Sequence, residues 1–172
     1  MSRLIRITTS LLEAVSVVLF LVLVADVLWG VFTRYVLGSQ AVWTEELARL
    51  LLVWLSMLGG ALAYVTRSHL GVDTLVAACD PATRRVAVFA SHVVVLLFAA
   101  GVMLAGGASL TVERWQAGQV LSALPILKAW VYLSVPVSGA LIALFAIDAL
   151  LALVQGREDA AAMASMAGDE TR

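Results

Sequence analysis

Charge is scarce in this chain. Of its 172 residues, 13% are Asp, Glu, Lys or Arg and 62% are hydrophobic, with a mean hydropathy of +1.00. A soluble domain has roughly a quarter charged and half apolar residues, so a soluble core of this length cannot absorb the excess. Cysteine occurs once, at Cys79, which excludes an intrachain disulfide and a thiolate metal cluster. No basic tract is longer than Arg84-Arg85, and a formal net charge of -1 gives no sign of a nucleic-acid partner. A Gly-rich phosphate loop, a nucleophile elbow and a zinc-binding helix motif are all missing. The spanning acids are few and near helix ends, with no carboxylate ladder of the kind a proton relay needs. Neither an internal repeat nor an inverted pair of Gly/Pro-broken helices, which would build a midplane binding site, is visible. No catalytic, cofactor-binding or metal-ligating residue is therefore expected.

Long apolar runs are what the chain has in abundance. About 20 apolar residues at 1.5 Å each cross the hydrocarbon of a bilayer, and Leu11 to Val31, Leu47 to Val65, Val86 to Val112 and Ala129 to Val154 each suffice. The expected fold is an all-α integral membrane protein with four transmembrane helices. Residues 1–155 should form one such domain, and 156–172, with four acids and an alanine-methionine stretch, a disordered tail. The basic flank before the first run resembles a signal peptide, but the run is too long for a cleavable one, so a retained helix is expected. Seven basic residues (Arg3, Arg6, Arg67, Arg84, Arg85, Arg157, Arg172) fall on the side of the termini and four (Arg34, Arg49, Arg114, Lys128) on the other. The positive-inside rule then puts both termini in the cytoplasm.

The polar residues near these runs have structural readings. Glu13 is close enough to the interface to reach water. Asp26 lies deeper, and an interhelical ion pair with Arg49 of the second helix, at a comparable depth, is the expected solution. Thr44 can cap the second helix, with Glu45 and Glu46 in the first turn, where the helix dipole favours acids; Glu45 and Arg49 have the spacing of a helical ion pair. Gly59 to Ala63 in the second helix, and Gly101, Ala105 and Ser109 in the third, have the four-residue spacing of close-packing faces. Trp43 and Tyr64 suit the interfaces, Trp54 a buried contact at mid-membrane, and Pro136 a bend in the last helix. Leu70 to Val76 suggests a short interfacial helix between the second and third spans. His69 and Asp73 can share its face, although two ligands alone rarely hold a metal. His92 is read either as a satisfied structural imidazole or, with His69, as one of two axial ligands in a small b-type cytochrome.

The stretch Ala41 to Asp73 carries a denser pattern. Arg34 and Gly38 precede Trp43, the acidic pair Glu45-Glu46 and Arg49; Trp54 and Gly60-Ala61 follow, then Arg67, His69, Val72 and Asp73. This pattern resembles the small membrane subunit of tripartite ATP-independent periplasmic (TRAP) transporters, the DctQ-like family. One residue separates Arg67 from His69 where the family pattern has two. Pro125, Tyr132, Pro136 and Gly139 resemble the family's last helix. The resemblance implies a non-enzymatic small permease subunit in the bacterial inner membrane. Its partners would be a large membrane subunit that carries the substrate and ion sites and a periplasmic protein that delivers an organic acid. Glu45 and Glu46 would stiffen the outer end of helix 2 and meet a partner; Arg67, His69 and Asp73 would fix its inner end.

Overall fold

The computed structural model describes residues 3–39, 41–67 and 81–155. They form α1 (Arg3–Val36), α2 (Val42–Arg67), a composite third rod and α5 (Ala129–Val154). The third rod joins α3 (Pro81–Phe98), a π-helical segment π1 (Ala99–Gly106) and α4 (Gly107–Gln116). Four helices among the described residues are long and apolar enough to cross a membrane. No strand forms there beyond an isolated antiparallel bridge between Val120 and Leu127. The expected interfacial helix, with His69 and Asp73, and the tail from 156 onward lie outside the described residues.

The rods stand in a row, α1 against α2, α2 against α5, and α5 against the composite rod. α1 starts two turns before the expected Leu11, because no breaker precedes that residue and the added turns have a core to join. Ile5 and Leu12 are buried with Leu58, Ala61, Val65 and Phe145, so the apolar core sits toward the end of the bundle that carries the chain termini. The opposite end is held by polar contacts. α1 stops where Gly38 takes φ 71°, a left-handed conformation that favours glycine, and α4 stops likewise at Gly118 with φ 61°. In the α1–α2 turn, the Thr33 hydroxyl donates to the Gly30 carbonyl at 3.0 Å and accepts the Ala41 N–H at 3.4 Å. Thr44 is not the helix cap: α2 begins at Val42, and the Thr44 hydroxyl donates back to the Ala41 carbonyl at 2.7 Å. That inward rotation presses Thr44 Oγ1 against Gly30, where a Cβ would approach it to 3.1 Å.

Other close approaches lie between α5 and the composite rod. A Cβ on Gly139 would sit 2.7 Å from Met103 Cβ and 3.0 Å from the Leu104 amide nitrogen. One on Gly107 would sit 2.9 Å from Pro136 Cδ. The contact involves π1 and the first residue after it, where i→i−5 hydrogen bonding replaces the α pattern. Ser134 and Ser138 of α5 are fully buried, and their hydroxyls donate to Val131 and Val135 of the same helix. The small faces expected at Gly59 and Gly101 are not used inside the chain. A Cβ on Gly59, Gly60 or Gly101 would meet nothing within 4 Å, and Ala105 and Ser109 are exposed. Spacing identifies such faces but not the side of the helix on which the chain's own neighbour lies.

Large apolar side chains cover the outside: Leu11, Val18, Leu21 and Leu28 of α1 and Val94, Leu97 and Val102 of the composite rod are all more than half exposed. A bilayer or a neighbouring membrane protein must cover such a surface.

Candidate functional site

The polar residues of the Ala41 to Asp73 stretch do different jobs. Glu46, half-buried in the first turns of α2, reaches across to the connection between α4 and α5. Its Oε1 accepts the Ser122 N–H at 2.9 Å, and its Oε2 accepts the N–H groups of Ala123 at 2.8 Å and Leu124 at 3.1 Å. The connection is folded to offer them. Lys128 N–H bonds the Gln119 carbonyl at 2.8 Å and Leu121 N–H the Ile126 carbonyl at 2.9 Å, so the chain doubles back and its tip turns three amides toward one carboxylate. An anion accepting several backbone N–H groups is stronger than the same number of neutral bonds. Sequence reasoning reads Glu46 as a dipole-complementing acid and, through the family resemblance, as a stiffening residue that meets a partner; its bond to this connection is not foreseen, since nothing in its local pattern identifies a loop so far along the chain.

Glu45 and Arg49 are exposed, and Trp43 is 39% exposed at the start of α2. The Asp26–Arg49 pair is not formed. Asp26 is buried, both of its carboxylate oxygens lack a hydrogen-bond partner among the described residues, and Arg49 is exposed. The helix face explains the difference. The α2 residues lining the cleft beside Asp26 are Thr44, Glu45 and Ala48, and Arg49 is turned about 100° from Ala48.

Deeper in the bundle, Trp54 Nε1–H donates to the Trp130 carbonyl at 3.0 Å, tying α2 to the start of α5. Tyr64 Oη and His92 Nδ1 are 2.7 Å apart, their rings edge to face. His92 is thus held by a hydroxyl across the α2–α3 contact, the structural one of its two readings. For the haem reading, this leaves His92 engaged at Nδ1 and His69 outside the described residues. Among the described residues, no three His, Cys, Asp or Glu side chains group as metal ligands do. Gly60 is exposed, Pro136 is buried against Gly107, and Arg67 is the last residue of α2.

The Tyr64–His92 contact is testable by a double-mutant cycle on thermal unfolding in detergent. Tyr64→Phe and His92→Phe should couple by about 0.6–2 kcal/mol, the range for hydrogen bonds between membrane helices. Strictly additive losses would mean that the two groups do not interact.

A row of four apolar helices whose polar side chains fasten its own elements together defines a class: a polytopic membrane protein built for packing. The sequence profile of the family described as "Tripartite ATP-independent periplasmic transporters, DctQ component" matches residues 23–156, and the chain belongs to that family. It is 29% identical over 134 residues, 78% of this chain and 76% of the relative, to the sialic acid TRAP transporter small permease protein SiaQ of Vibrio cholerae serotype O1. It is also 29% identical over 104 residues to the C4-dicarboxylate TRAP transporter small permease protein DctQ of Rhodobacter capsulatus, covering 60% of this chain and 45% of that protein.

Proposed function

We propose that this chain is the small membrane subunit of a TRAP-type secondary transporter, packed beside a large membrane subunit that carries out ion-coupled uptake of an organic acid. A periplasmic binding protein delivers that acid to the complex. The observation that carries the reading is the family match over residues 23–156. The relatives are named for sialic acid and for C4-dicarboxylates, both organic acids, which supports that substrate class. The internal use of Glu46, Trp54, Tyr64 and His92 suits a scaffold, because these groups hold helices and a connection in place. So does the outward display of Gly60, Gly101, Ala105 and Ser109, small residues that let a neighbouring helix approach closely.

The complex sits in the bacterial inner membrane. The bias of basic residues toward the termini supports cytoplasmic ends, with 1–155 as the transmembrane unit and 156–172 as a cytoplasmic tail. The α1–α2 turn and the 117–128 connection then face the periplasm and offer part of the surface on which the binding protein docks. Glu45, Trp43 and Arg49 are among the exposed side chains of that end. Arg67, His69 and Asp73 fix the inner end of α2.

Mild-detergent purification of the tagged chain from its native membrane tests the reading. A many-helix membrane protein should co-purify in a stoichiometric, colourless complex. A coloured homo-oligomer with a Soret band and no such partner would overturn it in favour of an electron-transfer protein.

A further inference from the structure

Between α1 and α2, below their connecting turn, lies a cleft of about 290 Å³ lined in part by Asp26, Val27, Val31, Arg34, Thr44 and Ala48. Asp26 is 6% exposed, and neither carboxylate oxygen has a hydrogen-bond partner among the described residues. An acid within a spanning helix is retained where something pairs with it, and no group among the described residues does so here. Of the other polar side chains that line the cleft, Glu45 is itself an acid and cannot supply a counter-charge, and Thr44 and Arg34 are engaged or distant. Thr44 donates its hydroxyl to Ala41, and Arg34 lies about 12 Å nearer the turn along the axis of α1, at 1.5 Å per residue. The Arg34 guanidinium lies 6.0 Å from the ring centroid of Tyr35.

We infer that this cleft receives a basic side chain, lysine or arginine, from a helix of a second and different membrane protein, and that its cationic head pairs with Asp26. The identity of that protein rests on the transporter-subunit reading, in which it is the large membrane subunit. The form of the cleft selects the ligand. Val27, Val31 and Ala48 give apolar wall for a hydrocarbon stem, and Asp26 gives a buried anion for the charged tip, which is the division within a lysine or arginine side chain. A hard metal cation takes six or more oxygen ligands, whereas this cleft sets the Asp26 and Glu45 carboxylates and the Thr44 hydroxyl beside the Arg34 guanidinium and apolar walls. A lipid amine stays at headgroup depth, and Asp26 lies about 12 Å below Arg34 along α1. A side chain carried on a neighbouring helix has no such limit of depth. Val27 and Val31 are each about half exposed, leaving room for that helix to lie along the cleft.

Two measurements on the full chain test this. A photo-reactive p-benzoylphenylalanine at Val31, expressed in the native host, should cross-link to the large membrane partner. Asp26→Asn should lower both that adduct and the recovered complex by at least about tenfold, because the partner's buried cation loses its counter-charge. The same substitution replaces an unpartnered buried carboxyl of the isolated chain with a neutral amide, so the melting temperature of that chain in detergent should hold or rise. The two effects have opposite signs, which a residue needed only for folding cannot produce. Adducts confined to lipid or to a second copy of this chain, undiminished recovery of the Asp26→Asn complex, or parallel loss of stability in the isolated chain would each overturn the inference. If the unaltered chain brings down the partner while Val31 fails to reach it, the cleft assignment falls and the transporter reading stands. If the unaltered chain brings down no partner, both fall.

Discussion

Gly139→Ala should destabilise the isolated chain by about 1–3 kcal/mol, the usual cost of forcing a methyl into a well-packed core. The added Cβ would sit 2.7 Å from Met103 Cβ and 3.0 Å from the backbone nitrogen of Leu104. Leu104 N belongs to π1 and has no rotamer with which to move aside, so the rods must separate. Gly107→Ala should behave alike, since its methyl would meet Pro136 Cδ at 2.9 Å and a proline ring cannot swing away. Gly60→Ala and Gly101→Ala are the controls. Both positions open on space, so each should be neutral or gain a few tenths of a kcal/mol from helix propensity, up to about 1 kcal/mol. Thermal unfolding in detergent reads the difference, at about 2–4 °C per kcal/mol for a chain of this size. If Gly139→Ala melts with Gly60→Ala, the α5–π1 contact is looser than these distances state.

This asymmetry among glycines marks the limit of what sequence reveals here. Four spans were legible because bilayer thickness imposes a length and an apolar composition on each run separately, and the observed helices lie over the expected runs. The small-residue faces were legible as spacing, but which of them an internal neighbour fills depends on how each rod is rotated. Gly107 follows a π segment that changes this rotation, and no local pattern announces the segment. Asp26 was recognised as expensive. Its partner was chosen by depth alone, and depth does not fix the azimuth that turns Arg49 outward. The family pattern, carried by residues such as Trp43, Glu46 and Gly139, was readable without any of this geometry.

Long-range use of a single acid is the other consequence that local pattern conceals. Glu46→Gln should loosen the tip of the 117–128 connection while leaving α2 helical. A neutral carboxamide has one acceptor oxygen and turns an N–H₂ group toward amides that also donate, whereas the carboxylate now serves Ser122, Ala123 and Leu124 together. Hydrogen bonds to a charged group contribute about 1.5–3 kcal/mol each when dry, and this site is partly open to solvent, so a total of about 1–3 kcal/mol is the expected local loss. Amide exchange at 122–124 should then accelerate by about tenfold or more, without a matching change in the α2 core. Glu46→Asp should resemble Gln, since the shortened side chain cannot span both oxygen positions. Glu45→Gln is the discriminating control. It has the same charge change one residue earlier, on an exposed side chain, and should leave those amides untouched. Equal effects from the two substitutions would mean that both acids act only through the helix dipole. In the assembled transporter, Glu46→Gln should cost more uptake than Glu45→Gln if a rigid connection at that face is what the binding protein meets. The reverse order would place docking on Glu45 itself and leave Glu46 a purely internal fastening.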